Sequence, residues 1–414
     1  MLTLSRSSGM ILPAVVCCWL INSSAVHGQT SPRTGTDATP AARSAASGNA
    51  ALQLAQGWNA IATGRPGEAA RIAGSLLADP WFGHDAIALA IAANLPTGGA
   101  LAGLNAYEQW LQRNGHEDLF LLRPVARAVL DDVATSREPR LRFNALAALA
   151  EAGDTPARGT LHAEAGAAGS AIEANVALGM LGDVDAIGRL ELDVVAGGNR
   201  DKTPAIEALR AARGTAAAAI IEKALKDPAP PSRIAAANAL AELNATASIG
   251  ALREAAKDVD PAVRFMAAAA LARLGSPENG VTLESLAASP VGDMRLFAAS
   301  AEADRAGGGA WLAAADAILR DADPLQRLRA AELILTRVQS PAATAVVKTA
   351  LSDPSPAVRA EAAHVLTTTL EHGDWEPSTF RQVLRDPLPE VRLWASRAVL
   401  LRTSPQVGSR QIGR

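Results

Sequence analysis

One sequence pattern recurs along most of the chain and restricts the possible folds more than any other feature. The stretch "PAVRFMAAAALARLG" begins at Pro261, and related stretches begin at Pro139, Pro231, Asp293, Arg327, Pro356 and Pro389. An arginine marks each copy, at Arg142, Arg233, Arg264, Arg295, Arg329, Arg359 and Arg392, and from Arg233 onward these arginines are 30–34 residues apart. A period of this length is typical of helical repeat arrays, in which each unit buries its apolar side only against its neighbours.

Each unit predicts two antiparallel helices. In the copy at Pro261 the apolar residues follow the i, i+3, i+4, i+7 spacing that places one apolar stripe on a helix. Asp260 can cap that helix, proline suits its first turn, and Gly275 ends it. In each unit a second amphipathic segment follows the first helix; after the copy at Pro231 this segment is "ALREAAKD", which begins at Ala251. Composition agrees, since 49% of residues are hydrophobic but only 3% aromatic, which favours close packing of alanine-rich helices.

An acid or a serine precedes the marker arginine by six residues in all seven copies. The acids are Asp227, Asp258, Asp323, Asp353 and Asp386, and Ser136 and Ser289 replace them in two copies. This pattern, an acid, a turn and then "VR" followed by alanines and leucine, resembles HEAT repeats, in particular the short HEAT-like form of phycobilisome lyases. The resemblance implies an all-α, right-handed α-solenoid, or superhelix, of stacked antiparallel helix pairs. It also implies a structural ladder, in which the acid of one turn and the following arginine tie neighbouring units together.

The array is expected to span residues 131–403 and to hold about eight or nine units. The 91 residues between Arg142 and Arg233 leave room for two further units, in which Glu173 and Glu207 stand where the arginine would be. The number of repeats in residues 153–227 stays open by one.

A different repeat is predicted in residues 51–130. The segment that begins at Gly57 resembles a tetratricopeptide repeat, on the positions of Gly64, Ala69, Leu77 and Pro80. A second, poorer copy begins at Gly99. The resemblance implies helix pairs that cap or extend the array. The aromatic residues of this part suit either a peptide-binding groove or the core between helices; they are Trp58, Trp81, Phe82, Tyr107 and Trp110.

The first residues predict export. Residues 1–28 combine Arg6, an apolar run over residues 10–21 and small residues at Ala25 and Gly28, as in a cleavable signal peptide. The run is too short for a membrane anchor, which needs about twenty residues. We therefore expect a bacterial periplasmic or extracellular protein without a transmembrane anchor in the mature chain. Residues 29–50 are rich in serine, threonine, proline and glycine and predict a disordered linker, and residues 404–414 predict a disordered tail.

Composition excludes several classes of function. The only cysteines, Cys17 and Cys18, lie in the signal, so the mature chain can form neither a disulfide nor a cysteine-ligated metal site. Valine or cysteine precedes them, which disfavours lipoprotein processing. The formal net charge of −3 provides no general basic field for nucleic acid.

No residue pattern predicts catalysis, a metal or a cofactor. Arg264 recurs in equivalent positions of seven units, so we interpret it as structural. The five histidines of the mature chain are scattered, without H-E-x-x-H spacing; they are His84, His116, His162, His364 and His372. Phycobilin lyase activity is not carried over, because the resemblance is confined to the repeat unit.

The leading functional hypothesis is a non-enzymatic scaffold that binds protein partners of unknown identity. Candidate partner-binding residues lie on the second helices of the units, at Arg253, Lys257, Arg320, Lys348, Arg381 and Arg385. The main alternative is an accessory or regulatory subunit that docks an anionic lipid, wall polymer or acidic protein on its basic C-terminal repeats. An enzyme with a site assembled from scattered polar groups is a third hypothesis, which predicts histidines and acids converging in one pocket.

Overall fold

The computed structural model describes residues 40–167, 171–196, 198, 200–306 and 309–404, which form helices joined by short turns and contain no β-strand. The predicted signal peptide, its two cysteines, residues 29–39 and the end of the predicted tail from residue 405 lie outside the described residues. The chain divides into two compact units, Met1–Glu117 and Asp118–Arg414.

The first unit contains three helices that pack on one another, α1 (Pro40–Ala62), α2 (Pro66–Leu76) and α3 (Gly83–Asn114). Helix α1 begins at Pro40, so residues 40–50 are helical and do not form the disordered linker that the sequence predicts. The alanines of this segment explain the difference, because alanine favours helix and proline is accepted in a first helical turn.

Helix α3 bends in its middle, where Pro96 removes a backbone donor and Gly99 takes a φ of 65°. Among the described helices, only α3 is long and apolar enough to cross a membrane, and 44% of the apolar stretch is buried inside the structure. Tyr107 and Trp110 lie in the core of the unit, at 0% and 8% exposure, whereas Trp81 is 81% exposed. Two of the predicted groove aromatics are therefore core residues. The resemblance of this unit to tetratricopeptide repeats stays a prediction.

The second unit continues as a series of helices up to residue 402. In chain order they are α4 (Arg123–Val133), α5 (Pro139–Glu151), α6 (Thr155–Ala165), α7 (Ala171–Met180), α8 (Val184–Val195), α9 (Thr203–Arg213), α10 (Ala218–Lys223), α11 (Pro230–Glu242), α12 (Ile249–Ala255), α13 (Pro261–Arg273), α14 (Leu283–Ala287), α15 (Gly292–Ala306), α16 (Ala310–Ile318), α17 (Pro324–Leu335), α18 (Pro341–Ala350), α19 (Pro356–Thr368), α20 (Pro377–Val383) and α21 (Pro389–Arg402). The odd-numbered helices from α5 onward are the first helices of the repeats, and the even-numbered helices from α6 onward are the second helices.

These helices stack as antiparallel pairs, so the predicted all-α solenoid is confirmed. First helices pack against the next first helix over most of the series, as α9, α11 and α13 do. The unit begins at Asp118, and it therefore includes α4, whereas the sequence placed residues up to 130 with the preceding repeats.

The two layers of helices differ in exposure. First helices are buried on nearly all sides; in α13, Val263 and residues 267–273 are all buried. Second helices bury one face, as α12 does through Leu252 and Ala255. Small alanine side chains allow the first helices to pack this closely. The exposed side chains of the repeats therefore lie mainly on the second helices.

The series closes on itself. Helix α21 packs along α4 and also contacts α5, although α4 and α21 stand at opposite ends of the unit's sequence. Helix α21 is a first helix that no second helix follows within the described part of the chain. Helix α4 packs against α21 as a second helix packs against its first helix, so α4 completes the last repeat. Arg123 donates to the carbonyl and hydroxyl oxygens of Thr403, both at 3.0 Å, and Arg397 pairs with Glu151 at 2.7 Å. These contacts connect the C-terminal half of α21 and the residue after it to the beginning of the series.

Candidate functional site

The marker arginine lies in the first turns of the first helix of its repeat, and in five repeats its guanidinium folds back onto the preceding turn. In α11, Arg233 Nη1 donates to the carbonyl oxygens of Asp227 and Pro228, at 2.8 and 3.1 Å. Arg264, Arg295, Arg359 and Arg392 make the same pair of bonds to the residues six and five positions before them. Each arginine therefore fixes the turn that enters its own helix.

Three of these arginines also bind a carboxylate of the next repeat. Arg233 makes two bonds with Asp258, 2.8 Å from Nε to Oδ2 and 2.9 Å from Nη2 to Oδ1. Arg359 pairs with Asp386 at 2.6 Å, and Arg295 pairs with Asp321. A two-point contact between guanidinium and carboxylate is strong and directional. It joins consecutive repeats at the turn edge of the unit.

The same aspartates shape the turns in which they lie. Asp258 Oδ1 accepts the backbone N–H of Asp260 at 2.8 Å, and Asp353 and Asp386 accept in the same way from the residue two positions later. Ser136 and Ser289 replace the acid in this role through their hydroxyl oxygens. Ser289 carries no charge, so the turn of the next repeat offers Arg264 no carboxylate, and Arg264 donates to two carbonyl oxygens of its own preceding turn.

The structure shifts the expected ladder by two residues in α17. Arg327, rather than Arg329, donates to the turn carbonyls of Asp321 and Ala322, at 2.8 and 3.0 Å. Asp321 is the acid of this turn, while Asp323 caps α17 by accepting from the Leu325 N–H at 2.9 Å. Arg329 instead reaches Asp293, 2.5 Å away. The "DP" pattern predicts Asp323 as the acid of the turn before α17, but the acid in that position of the structure is Asp321, two residues earlier.

The ladder differs again at its N-terminal end. Asp227 pairs with Lys202, whose ammonium is 2% exposed and also donates to the carbonyl of Ala196. Lys202 lies just before α9, outside the helical position in which the marker arginine recurs, so the repeat pattern does not identify it. Glu207, the residue in the arginine register, pairs with Arg210. Arg142 lies 3.5 Å from Glu164 and over the ring of Phe143.

The contacts of Asp258 lower the pKa of its carboxyl group. Burial alone would raise its pKa, but the hydrogen bonds from Arg233 and from the Asp260 N–H, together with the positive charge of Arg233, hold the pKa below its usual value. A lowered folded-state pKa contributes stability above the unfolded-state value of about 4, and the contribution disappears as the pH falls through the folded-state pKa.

We therefore expect Asp258→Asn to lower the urea midpoint at pH 7, and to lower it much less at pH 3. The amide keeps an oxygen for the turn but loses the charge that Arg233 binds. Equilibrium urea unfolding of both proteins across this pH range measures the difference. A difference in urea midpoint that stays constant from pH 7 to pH 3 would show that the charge of Asp258 does not contribute to stability.

Most of the candidate partner-binding residues are engaged within the chain. Arg253 pairs with Glu278 in the following repeat at 2.5 Å, Lys257 with Glu254 at 2.9 Å, and Lys348 with Glu376 at 3.5 Å. Arg381 and Arg385 also interact with other residues of the chain, and Arg320 is exposed at the end of α16. The structure thus spreads these side chains over separate second helices instead of gathering them in one patch.

The histidines occupy separate environments. His84 lies edge-on to Trp110 and His364 edge-on to Trp394, with ring centroids 6.2 and 4.7 Å apart, while His162 lies 3.3 Å from Asp183. Within the described part of the chain, no group of three or more histidine, cysteine, aspartate or glutamate residues is arranged to hold a metal ion.

Comparison with known families agrees with the helix pairs. Residues 217–303, which extend from α10 into α15, match the family model for HEAT repeats. This segment is therefore similar to HEAT repeats, which generally mediate protein–protein interaction and are typically non-catalytic. The specific resemblance to the phycobilisome-lyase type stays a prediction. No curated protein matches the chain.

Proposed function

We propose that the protein is an exported, non-enzymatic scaffold whose repeats bind other proteins in the bacterial periplasm or cell envelope. The observation that carries this proposal is the match of residues 217–303 to HEAT repeats. The exposure pattern supports it, because buried first helices form a rigid support and the second helices present side chains to a partner. We prefer a protein partner to an anionic polymer because Arg253 and Lys257 each already lie beside a carboxylate, and the basic candidate residues belong to separate repeats instead of forming one basic patch.

Export is the second part of the proposal, and it rests on the pattern of residues 1–28. If the signal is cleaved after Gly28, the protein recovered from cells begins at Gln29. Mass spectrometry of its N-terminal peptide tests this directly. An intact N-terminus at Met1 would contradict cleavage.

Binding is tested by crosslinking the tagged full-length chain in cells of its own host and identifying the captured proteins by quantitative mass spectrometry. We expect at least one protein to be enriched over a tag-only control. Two surface variants locate its binding site: Lys257→Glu in the turn after α12 and Ala345→Arg on α18, both at exposed positions. One variant should lose the partner while the other retains it. If no protein is enriched over the control, the scaffold proposal is wrong.

A further inference from the structure

A polar cleft opens between two adjacent repeats near the C-terminal end of the second unit. Its volume is about 490 Å³, and Thr344 and Lys348 of α18 lie on one side, with His372 and Asp374 of the turn between α19 and α20 on the other. A cleft of this volume is in the range that holds small ligands or a few residues of a peptide.

One wall of the cleft is a row of hydrogen-bonding side chains on α18. Ser340, Thr344 and Lys348 are four residues apart and therefore share one face of the helix. The cleft also lies at the N-terminus of α18, where the helix dipole favours negative charge. Ser340 itself is engaged as the cap, because its hydroxyl oxygen accepts the N–H of Ala343 at 3.2 Å. Thr344 and Lys348 are the donors on this wall that can bind a ligand.

Thr344 contributes a hydroxyl to the cleft. The residue is 5% exposed, lines the cleft and makes no side-chain hydrogen bond to any other described residue. Thr367 and Thr369, in α19 and the turn after it, donate instead to the carbonyl four residues earlier. The Thr344 hydroxyl is not among the buried side-chain atoms without a hydrogen bond, so water reaches it from the cleft. The Thr344 hydroxyl remains available to a group that enters the cleft.

The ion pair of Lys348 is longer than those of Arg253 and Lys257. Its ammonium lies 3.5 Å from Glu376, whereas Arg253 and Glu278 approach to 2.5 Å in the comparable contact between earlier repeats. Glu376 is 63% exposed in its side chain. An ammonium has three donors, and a charge-assisted bond is usually about 2.8 Å long. Lys348 can therefore bind a second carboxylate, or exchange Glu376 for it.

We propose that this cleft binds a carboxylate carried by an extended peptide segment of a partner protein, and that Glu376 is the internal carboxylate which the peptide displaces. Lys348 and Thr344 donate to the peptide carboxylate. Asp374, on the opposite wall, accepts a backbone N–H of the same peptide. The proposal deepens the protein-binding function proposed above and rests on it, since it names the chemistry of one contact with the partner.

The arrangement favours a peptide over a small, multiply charged anion. Asp374 lies in the same cleft and repels a phosphate or sulfate group, whereas it provides an acceptor that a peptide backbone requires. Singly charged carboxylate and N–H groups occur together in a peptide that contains aspartate or glutamate. Lys348 and Thr344 on one wall can donate to the carboxylate, and Asp374 on the other wall can accept from the N–H.

The proposal is tested with a displayed library of random twelve-residue peptides, selected on the full-length protein. We expect the selected peptides to be enriched in aspartate and glutamate. One enriched acidic peptide is then labelled, and its affinity for the protein and its variants is measured by fluorescence anisotropy.

Lys348→Glu should weaken binding by roughly tenfold to a hundredfold, because it removes a charge-assisted hydrogen bond and adds repulsion. Thr344→Val, which keeps the side-chain shape, should weaken it by roughly threefold to tenfold. Glu376→Gln should tighten binding by about twofold to fivefold, since an exposed competing ion pair is lost. Lys223→Glu, the same substitution at an exposed position of α10, is the matched control and should leave the affinity unchanged. Circular dichroism confirms that each variant keeps its helices.

Three results would overturn the proposal: no selected peptides, selection without acidic residues, or affinities that Lys348→Glu and Thr344→Val do not alter. Enrichment of lysine and arginine would show that Asp374, and not Lys348, determines the ligand. None of these results contradicts a protein captured by crosslinking, which would leave the scaffold function in place with its contact elsewhere. Conversely, a peptide that binds this cleft does not replace the crosslinking test in cells.

Discussion

Deletion of residues 389–414 should destabilise α4, at the opposite end of the second unit's sequence. The deletion removes α21, in which Val391, Leu393 and Val399 are fully buried. Burial of one such side chain contributes about 1.5–3 kcal/mol, so the loss amounts to several kcal/mol. Hydrogen exchange followed by mass spectrometry should show faster exchange in Arg123–Val133, because the face that α21 covers becomes exposed to water.

A shorter deletion provides the control. A chain that ends at Ser404 lacks only the last ten residues of the sequence and keeps α21 with its bonds from Arg123 to Thr403. Its exchange in α4 should equal that of the full chain. An open array predicts a different result, in which loss of α21 affects α19 and α20 and leaves α4 protected. That outcome would contradict closure of the repeat series.

Arg233→Ala should cost about 3–5 kcal/mol in the free energy of unfolding, since removal of one partner leaves a buried carboxylate without its counter-charge. The side chains of Arg233 and Asp258 are only 10% and 13% exposed. The carbonyl oxygens of Asp227 and Pro228 lose their donor in the same substitution. Equilibrium urea unfolding, followed by far-ultraviolet circular dichroism, measures the change.

Arg264→Ala is the matched substitution one repeat later. Arg264 occupies the same position and donates to the equivalent two turn carbonyls, but it is exposed, and the next repeat has Ser289 at the position of the acid. Its loss should cost about 1 kcal/mol, the usual contribution of a neutral hydrogen bond. Equal effects of the two substitutions would mean that the carboxylate of the next repeat contributes nothing, and that both arginines act only on their own turns.

The helix pairs could be predicted from the sequence because the information is local. Proline at the start of the helix, apolar residues at helical spacing and a recurring arginine all act within about thirty residues, and many copies agree. The linker over residues 40–50 was predicted incorrectly for a related reason. Serine and glycine in that segment indicate disorder, but its alanines and the helix that follows favour continuation of α1.

The spacing of the marker arginines in the sequence is more uniform with Arg327 than with Arg329 in α17. With Arg329 as the marker, the neighbouring spacings are 34 and 30 residues; with Arg327 they are 32 and 32. A stacked array favours equal spacing, because each repeat fills a similar volume. Uniform spacing therefore identifies Arg327, and with it Asp321, more reliably than the resemblance of "DPLQRLR" to the other turns.

Closure and the cleft could not be predicted in this way. Helix α4 has an apolar face like that of any second helix, and nothing local indicates that its partner lies more than 250 residues later. The candidate residues on the second helices were selected because they point outward. Their partners, such as Glu278 for Arg253 and Glu376 for Lys348, belong to following repeats, and only the curvature of the array determines which pairs approach closely.

The bonds between Arg123 and Thr403 also place the entrance and the exit of the second unit side by side. The polypeptide thus leaves the unit where it entered, and the break between α21 and α4 is one of several equivalent positions around the series. Such a unit can be inserted into a surface loop of another protein, or have its order of helices rotated by joining the old ends and opening a different turn, without loss of any contact between neighbouring helices. An open array lacks this property, because its two ends are separated by the length of the stack.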